Sequence, residues 1–297
     1  DWSGENFGTQ PMPFDGVLFG SWVMTAKEGH ANDEIKELMV NANGVEDQKG
    51  EGPFDKDTGG VIPVPSELGE PIHKIATRGI KLWNELDKVC FGLPKEKRLA
   101  WLSDKKNYVI ERLNADFQKP WFPTHLDGTP AQNVSDMTYE EVIRRLLRLL
   151  YISRCNRWID RSLRNLMGDW LRRVEERFAG IETAGKKLSK IQSYSQLDEN
   201  PEQLIEAFLQ EYYDAQILLL SAEDVAYFLA ICNRPGQKPV PFIPVLDENF
   251  SVYFKKDSLS YAEDLDSVFD RDPQRVAILH GPVAARCNTK ANIPIKE

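Results

Sequence analysis

The middle third of the chain has the clearest helical pattern of apolar and polar positions. Thr138 to Glu141 forms a capping-box sequence, in which the threonine oxygen accepts a first-turn amide and the glutamate bonds back to the cap. The predicted helix continues through Tyr151 and places Arg144, Arg145 and Arg148 away from its apolar face. The positions expected to be buried are Val142, Leu146, Leu149 and Leu150.

Three more helices are predicted after this one. Residues 158–178 repeat an apolar position every three or four residues, which is typical of a helix with one buried face. Asn200-Pro201 supplies a cap and a first-turn proline for the next helix, and Ser221 caps another that runs to about Cys232. The expected buried positions of the first are Leu163, Leu166, Trp170, Leu171, Val174 and Phe178.

The first third alternates predicted helices with charged and glycine-rich stretches. Helices are expected over residues 32–43, 70–91 and 104–117, the second with Pro71 in its first turn. An exposed loop is expected at 46–60 and a short extended piece at 59–64. The positions expected to be buried are Ile35, Leu38, Met39, Ile72, Ile75, Ile80, Trp83, Leu86, Val89, Tyr108, Leu113 and Phe117.

Two strands are predicted near the ends of the chain. Pro13 to Ser21 is a short apolar run that ends in a Gly20-Ser21 turn before a helix, which is typical of a (β/α)8 barrel strand. Residues 275–282 predict a short C-terminal strand, and three prolines in 238–244 predict a rigid connector.

The predicted fold class is therefore mainly α. It comprises the terminal strand-helix portion of a (β/α)8 barrel in residues 1–68, a helical region in 69–234, and a connector with a short strand in 235–297. Because one strand cannot form a barrel alone, we expect the remaining strands to come from sequence outside this chain.

Composition narrows the function. With 37 basic and 46 acidic residues, the net charge is −9, which argues against a nucleic-acid partner. No apolar stretch is long enough to span a bilayer and no signal-peptide pattern is present, so no membrane partner and a cytoplasmic location are expected. The four cysteines lack paired spacing and are expected to be reduced and mostly buried; they are Cys90, Cys155, Cys232 and Cys287.

Candidate chemistry is sparse. The histidines have no spacing that would place two metal ligands on one helical face, so no metal site is expected; they are His30, His73, His125 and His280. No Gly-x-Ser-x-Gly elbow occurs. The Arg144-Arg145 and Arg172-Arg173 pairs alternate with glutamates, which favours solvated ion pairs over an anion site. Gly20-Ser21 could bind a phosphate at the end of the strand, although an ordinary turn explains these two residues equally well.

Several longer stretches resemble one protein family over the whole chain. They are Pro11 to Ser21, Met24 to Glu28, Gly69 to Gly79, Leu113 to Phe122, Met137 to Val142, Arg172 to Phe178, Gln237 to Phe242, Phe254 to Leu259 and Ile278 to Ala285. In this order they resemble the fungal-type fatty acid synthase β subunit, from the end of its enoyl reductase region to the segment before its dehydratase.

The resemblance implies a flavin barrel that uses FMN and NADPH to reduce a trans-2-enoyl acyl-carrier thioester. It implies that Gly20 and Ser21 help to bind the FMN phosphate, and that the partners are the other β-subunit domains, the α subunit and acyl carrier protein. The family pattern has arginine where this chain has Trp22 and Pro65, so two cations near a phosphate are missing. The resemblance also implies that the catalytic histidine expected of this reductase type comes from sequence before Asp1, so no catalytic residue is predicted here.

Two functional hypotheses follow. In the first, the chain contributes directly to enoyl reduction within fatty acid biosynthesis by this multifunctional enzyme. In the second, the helices from about Glu70 to Cys232 act as a scaffold in the synthase shell, and the 297-residue piece is inactive by itself.

Overall fold

The computed structural model describes residues 20–29, 31–42, 60–65, 69–179, 189–255, 271–281, 284–285 and 289–295. Within these residues the structure is mainly helical, as predicted. The predicted barrel strand at 13–19 and most of the predicted loop at 46–60 lie outside the described residues.

The elements follow one another in a single order along the chain. The α-helices are α1 (Ser21–Met24), α2 (Asp33–Val40), α3 (Arg78–Leu86), α4 (Lys95–Asp104), α5 (Lys106–Asp116), α6 (Tyr139–Leu150), α7 (Arg161–Ala179), α8 (Pro201–Glu211), α9 (Asp214–Ile217), α10 (Ala222–Cys232) and α11 (Phe250–Lys255). The strands are β1 (Val61–Pro65), β2 (Pro71–Ile75), β3 (Tyr151–Ile152) and β4 (Arg157–Trp158).

The sequence caps explain where the central helices begin. Thr138 and Glu141 form both halves of the capping box of α6, Asn200 and Pro201 start α8, and Ser221 caps α10 through the Asp224 amide. Each cap satisfies amides that the first helical turn leaves without partners. The predictions for these three helices are confirmed.

The predicted helix over 70–91 is wrong in its first part. Pro71–Ile75 is a strand that pairs antiparallel with β1, with Val61 opposite Ile75. Ile72 and Ile75 are three residues apart, which fits a helix, but their β-branched side chains also suit a strand. The long-range pairing decides between the two, and α3 starts only at Arg78, capped by Thr77.

Four smaller predictions also need correction. Val89, expected to be buried, is exposed, because the helix ends in a π-helical turn over Asp87–Phe91 that changes the register of the side chains. The helix expected over 104–117 is α5 alone, and the unpredicted α4 precedes it. Tyr108, expected to be buried, is exposed, because its hydroxyl donates to Glu85 at the surface. The helix expected from Trp158 begins at Arg161, since Trp158 pairs with Tyr151 in a two-residue hairpin.

The predicted C-terminal strand is reduced to one isolated bridge, Lys74 to Leu279, at the edge of β2. The Ile75 amide donates to the Ile278 carbonyl at 2.9 Å, and the His280 amide donates to the His73 carbonyl at 3.2 Å. A 3-10 turn, Pro273–Arg275, precedes it. The segment is therefore extended along the hairpin without forming a full strand.

Two apolar clusters form the core. The larger cluster, which we call the helical body, joins α3 to α11 and contains Trp170, Phe122 and Phe254. Residues of the predicted proline-rich connector are part of it, since Phe242 and Ile243 are fully buried. The smaller cluster, the terminal unit, joins α2, the β1-β2 hairpin and the described residues of 276–281 and 284–285. It contains Ala31, Ile35, Met39, Ala42, Val61, Ile75, Val276, Ile278 and Ala285.

Candidate functional site

The predicted phosphate-binding turn lies at the start of α1. Gly20 is exposed, and Ser21 is the first residue of a four-residue helix whose Val23 amide donates to the Gly20 carbonyl at 3.2 Å. A methyl group at Gly20 would meet no atom within 4 Å, so packing does not require glycine there. The side chains of Ser21, Trp22 and Pro65 lie outside the described set.

The structure brings the other end of the chain to this turn. The Asn292 amide donates to the Thr25 carbonyl at 2.8 Å, and the Lys27 amide donates to the Ile293 carbonyl at 3.0 Å. The Asn292 side chain accepts from Lys36 at 2.8 Å and donates to Asp33 at 2.9 Å. Residues more than 250 positions apart are thereby held side by side.

A cavity of about 140 Å³ lies between the two ends. Its walls are mostly apolar, from Val23, Ala26 and Ile293, and among the described residues that line it Lys290 is the one with a charge. An apolar space with a single ammonium group suits a ligand that has an apolar part and one anionic group. Val23 follows Ser21 by two positions, so this cavity lies next to the predicted phosphate turn.

The cavity cannot hold a complete flavin. Cofactor pockets typically enclose roughly 300–1,000 Å³, and the space beside Val23 is about 140 Å³. The described residues therefore fit the phosphate end of such a cofactor at most, and the ring system would require walls from other parts of a larger protein.

A buried polar cluster lies elsewhere, in the helical body. Asp224 is fully buried, and its carboxylate accepts from the Nε atoms of Arg173 and Arg177 at 2.7 Å each, from Ser221 at 3.0 Å and from the Tyr139 hydroxyl. Burial acts to raise the pKa of Asp224, but these hydrogen bonds outweigh it and lower the pKa to about 2. This enclosed carboxylate, which is ionised at neutral pH, joins α6, α7 and α10 and has no access to a substrate.

Two further carboxylates have similar roles. Glu175 accepts from the Tyr212 hydroxyl at 2.7 Å and the Lys190 amide at 2.9 Å, which fixes the segment after α7. Glu141 accepts from the Thr138 amide with one oxygen and from the Leu126 amide with the other, and His125 lies 3.0 Å away. Both oxygens of Glu141 are used to hold partly buried backbone amides, and Glu175 likewise accepts from a neighbouring side chain and a backbone amide, so both carboxylates have structural roles.

The arginine pairs separate in the structure. Arg144 bonds Glu140 and Glu206 at the surface, as predicted. The expectation that Arg145 lies outside the apolar face is wrong: it is buried and donates to the Trp121 carbonyl at 2.9 Å. Burial, aided by Arg148 and Arg275, lowers the pKa of Arg145 to about 10. Arg172 donates to the Ile191 carbonyl at 3.0 Å.

The described residues contain no group of three or more histidine, cysteine or acidic side chains that could hold a metal ion. Burial raises the pKa of the Cys90 thiol to about 11 and that of Cys232 well above its usual value, so both thiols are poor nucleophiles. Cys90 and Cys232 are buried and Cys155 is exposed, so for the cysteines that the structure describes the prediction of mostly buried, free thiols is confirmed. None of the described helices is long and apolar enough to cross a membrane.

The residues around Lys290 were missed by sequence reasoning. Nothing in the pattern of Lys290 to Ile295 indicates contact with the N-terminal turn, because the contact depends on hydrogen bonds between distant backbone groups. A charge without a local partner is the only signal in the sequence, and many surface lysines share it.

Comparison with known proteins decides the family. A family model described as fatty acid synthase subunit beta/Fas1-like, helical, matches residues 1–297. This chain belongs to that family. It is 51% identical to the fatty acid synthase subunit beta of Saccharomyces cerevisiae over 296 residues, 47% identical to that of Schizosaccharomyces pombe over 306, and 45% identical to the fatty acid synthase beta subunit aflB of Emericella nidulans over 296.

Each of these matches covers all of this chain and 14% of the relative. The expected resemblance to fungal-type fatty acid synthase β subunits is confirmed, and the matched family model is a helical one. The chain therefore corresponds to a small helical part of much longer fatty acid synthase β subunits.

Proposed function

We propose that this chain acts within a full-length fatty acid synthase β subunit and supports the NADPH- and FMN-dependent reduction of trans-2-enoyl acyl-carrier protein in the cytoplasm. Its partners would be the other β-subunit domains, the α subunit and acyl carrier protein. The main support is the match of the whole chain to the helical β-subunit family. The Gly20-Ser21 turn, which lies beside a cavity lined by the Lys290 ammonium group, adds to it.

In this proposal the residues at the N-terminal turn hold one end of the cofactor. The Gly20 and Ser21 amides and the Ser21 hydroxyl would donate to the FMN phosphate, and Lys290 would offset its charge from the adjacent cavity. When bound, FMN would carry a hydride from NADPH to the β-carbon of the substrate. The contribution of this chain is cofactor anchoring, with no catalytic residue of its own.

The first test uses the purified full-length subunit. Ser21→Asp places a negative charge where the phosphate would bind, so we expect bound FMN and enoyl-dependent NADPH oxidation to fall together at least tenfold. Ser103→Asp is the matched control, because Ser103 is exposed on α4, far along the chain from the turn. Equal FMN content in both variants would refute the anchoring role.

A second test introduces the arginine that the family pattern has at position 22. Trp22→Arg restores the residue type of the family pattern, and an added guanidinium-phosphate bond is worth roughly 1.5–3 kcal/mol, so FMN should bind about tenfold to a hundredfold more tightly. Fluorescence titration of the flavin measures this change. Unchanged or weaker binding would mean that the phosphate site has been rebuilt around Trp22.

A scaffold role is the second candidate. It is favoured by the Asp224 cluster, where one buried carboxylate joins three helices. If the chain is only a scaffold, the purified 297-residue chain will neither bind FMN nor oxidise NADPH with an enoyl thioester, and Ser21→Asp will leave the full-length enzyme unchanged. Turnover by the isolated chain would eliminate this alternative.

A further inference from the structure

One face of the helical body carries a concentration of exposed apolar side chains. We call it the Leu219 patch; it consists of Leu126, Tyr213, Ile217, Leu218 and Leu219. Leu219 is 57% exposed and Tyr213 is 62% exposed. Four of the five residues lie within seven positions of the chain, whereas scattered single apolar residues are normal on protein surfaces.

The patch is fixed in place by backbone hydrogen bonds. The Tyr139 amide donates to the Leu218 carbonyl at 3.3 Å, and the Leu220 amide donates to the Met137 carbonyl at 3.0 Å. Leu126 joins the same region because its amide donates to Glu141, whose other oxygen accepts the Thr138 amide. The exposed side chains are therefore held on a firm platform at the start of α6.

These bonds also leave a free strand edge. Leu219 and Thr138 form an antiparallel bridge in which the hydrogen bonds are made by the residues on either side. In this arrangement the amide and carbonyl of Leu219 point away from Thr138. Neither group has a hydrogen-bond partner among the described residues, so an extended segment could exchange two hydrogen bonds with Leu219.

The charges beside the patch indicate what the partner should carry. Asp214 and Asp127 are both exposed, and neither forms an ion pair within the part of the chain that the structure describes. A partner with apolar side chains and at least one lysine or arginine would complement this surface.

We propose that the Leu219 patch docks an extended, apolar and partly basic segment from another region of the same β-subunit polypeptide. The relatives are much longer than this chain, which covers 14% of each, so most of a β subunit lies outside the matched region. The proposal rests on the proposed function only in that the chain acts within a full-length subunit.

Site-specific photo-crosslinking in the purified full-length protein with its α subunit tests the proposal. With Leu219 replaced by p-benzoylphenylalanine, we expect crosslinked peptides that join residue 219 to a β-subunit segment outside this chain. The yield should be at least fivefold above that from the same replacement at Val89, an isolated exposed residue. Crosslinks mainly to the α subunit, to a second copy of the patch or to residues 180–188 would overturn the proposal, as would no crosslink at all.

Hydrogen exchange on the unmodified full-length protein provides a second measurement that requires no substitution. The Leu219 amide should exchange at least a hundredfold more slowly than an unpaired amide, and Leu219→Glu should increase exchange in the docked segment while Val89→Glu should not. Fast exchange at Leu219 would contradict the docking. FMN content and NADPH oxidation, measured on the same preparations, test the proposed function separately.

Discussion

The helical body and the terminal unit are stabilised in different ways. In the body, several helices begin at side-chain caps encoded within four residues, as at Thr138, Asn200 and Ser221, and the helices pack through a large shared apolar core. In the terminal unit, short segments are joined by backbone hydrogen bonds such as Ile75 to Ile278 and His280 to His73. Local signals therefore specify the body, whereas the terminal unit depends on pairing between distant parts of the chain.

The largest effect should come from the carboxylate at the centre of the body. Asp224→Ala leaves Arg173 and Arg177 without their buried partner, and breaking such a pair costs about 3–5 kcal/mol. Urea unfolding of the 297-residue chain, followed by circular dichroism, measures the loss. Glu223→Ala is the control, because Glu223 bonds the same two arginines at the surface and should cost under about 1 kcal/mol. Equal losses in the two variants would contradict the role given to Asp224.

The next effect concerns the joint between the two regions. A Cβ at Gly79 would lie 2.7 Å from the Arg275 carbonyl oxygen and 3.2 Å from that of Asp116. Gly79→Ala should therefore cost about 1–3 kcal/mol and increase hydrogen exchange at residues 275–280 before it affects α7. Gly20→Ala, which meets no atom within 4 Å, should leave stability and exchange unchanged. A neutral Gly79→Ala would mean that the joint can shift freely.

Acid should loosen the terminal unit before the body. His280 is buried, and neither ring nitrogen has a hydrogen bond in the described structure. Burial lowers the pKa of His280 below 6.5, and the nearby Met39 carbonyl offsets this only in part. The unfolded state thus takes up the proton first, and stability of the unit falls as pH drops below about 6.5.

The helical body should lose stability only at a lower pH than the terminal unit. The pKa of Asp224 is lowered from 3.8 to about 2, so its contribution is complete above pH 4 and is lost between about pH 4 and 2. Hydrogen exchange at pH 7 and pH 5, compared after correction for intrinsic rates, should show faster opening at His280 and little change at Val225. His280→Leu should remove the difference at the terminal unit; persistence of that difference would assign it to another group.

The smallest effect should be at a cap of the body. Thr138→Ala removes the oxygen that accepts the Glu141 amide, which typically costs about 1 kcal/mol. The melting temperature of the chain measures the loss. Thr129→Ala, an exposed hydroxyl outside the helices, provides the control, and a loss no greater than in that variant would show that the cap is replaceable.

Much of the body could be predicted from the sequence. Helices α6, α7, α8 and α10 follow from apolar spacing and from caps formed by Thr138, Asn200 and Ser221, because both signals act within one or two turns. The error at Pro71 has a clear cause. Ile72 and Ile75 suit a helix and a strand equally. Pairing with Val64 and Val61 of the neighbouring strand β1 decides in favour of the strand.

The candidate site was only partly predictable. Gly20-Ser21 could be identified from the strand-like run before it and from the family resemblance, whereas Lys290 carries no local pattern. The same contrast holds for Arg145, which lies beside Arg144 in the sequence but is buried against the Trp121 carbonyl. Because consecutive residues of a helix point in different directions, Arg144 faces solvent while Arg145 faces the core. Only the packing of the segment that contains Trp121 determines which arginine is enclosed.

The sequence alone determined the helical class, the family and the starts of the central helices, because periodicity, capping and extended motifs are contained in short stretches. Tertiary structure decided the strand at Pro71, the enclosure of Asp224 and the meeting of residues 20–29 with 289–295. These features depend on backbone and charged groups whose partners lie in other segments, from the neighbouring strand β1 to residues more than 250 positions away. Such partners leave no periodic pattern in either segment.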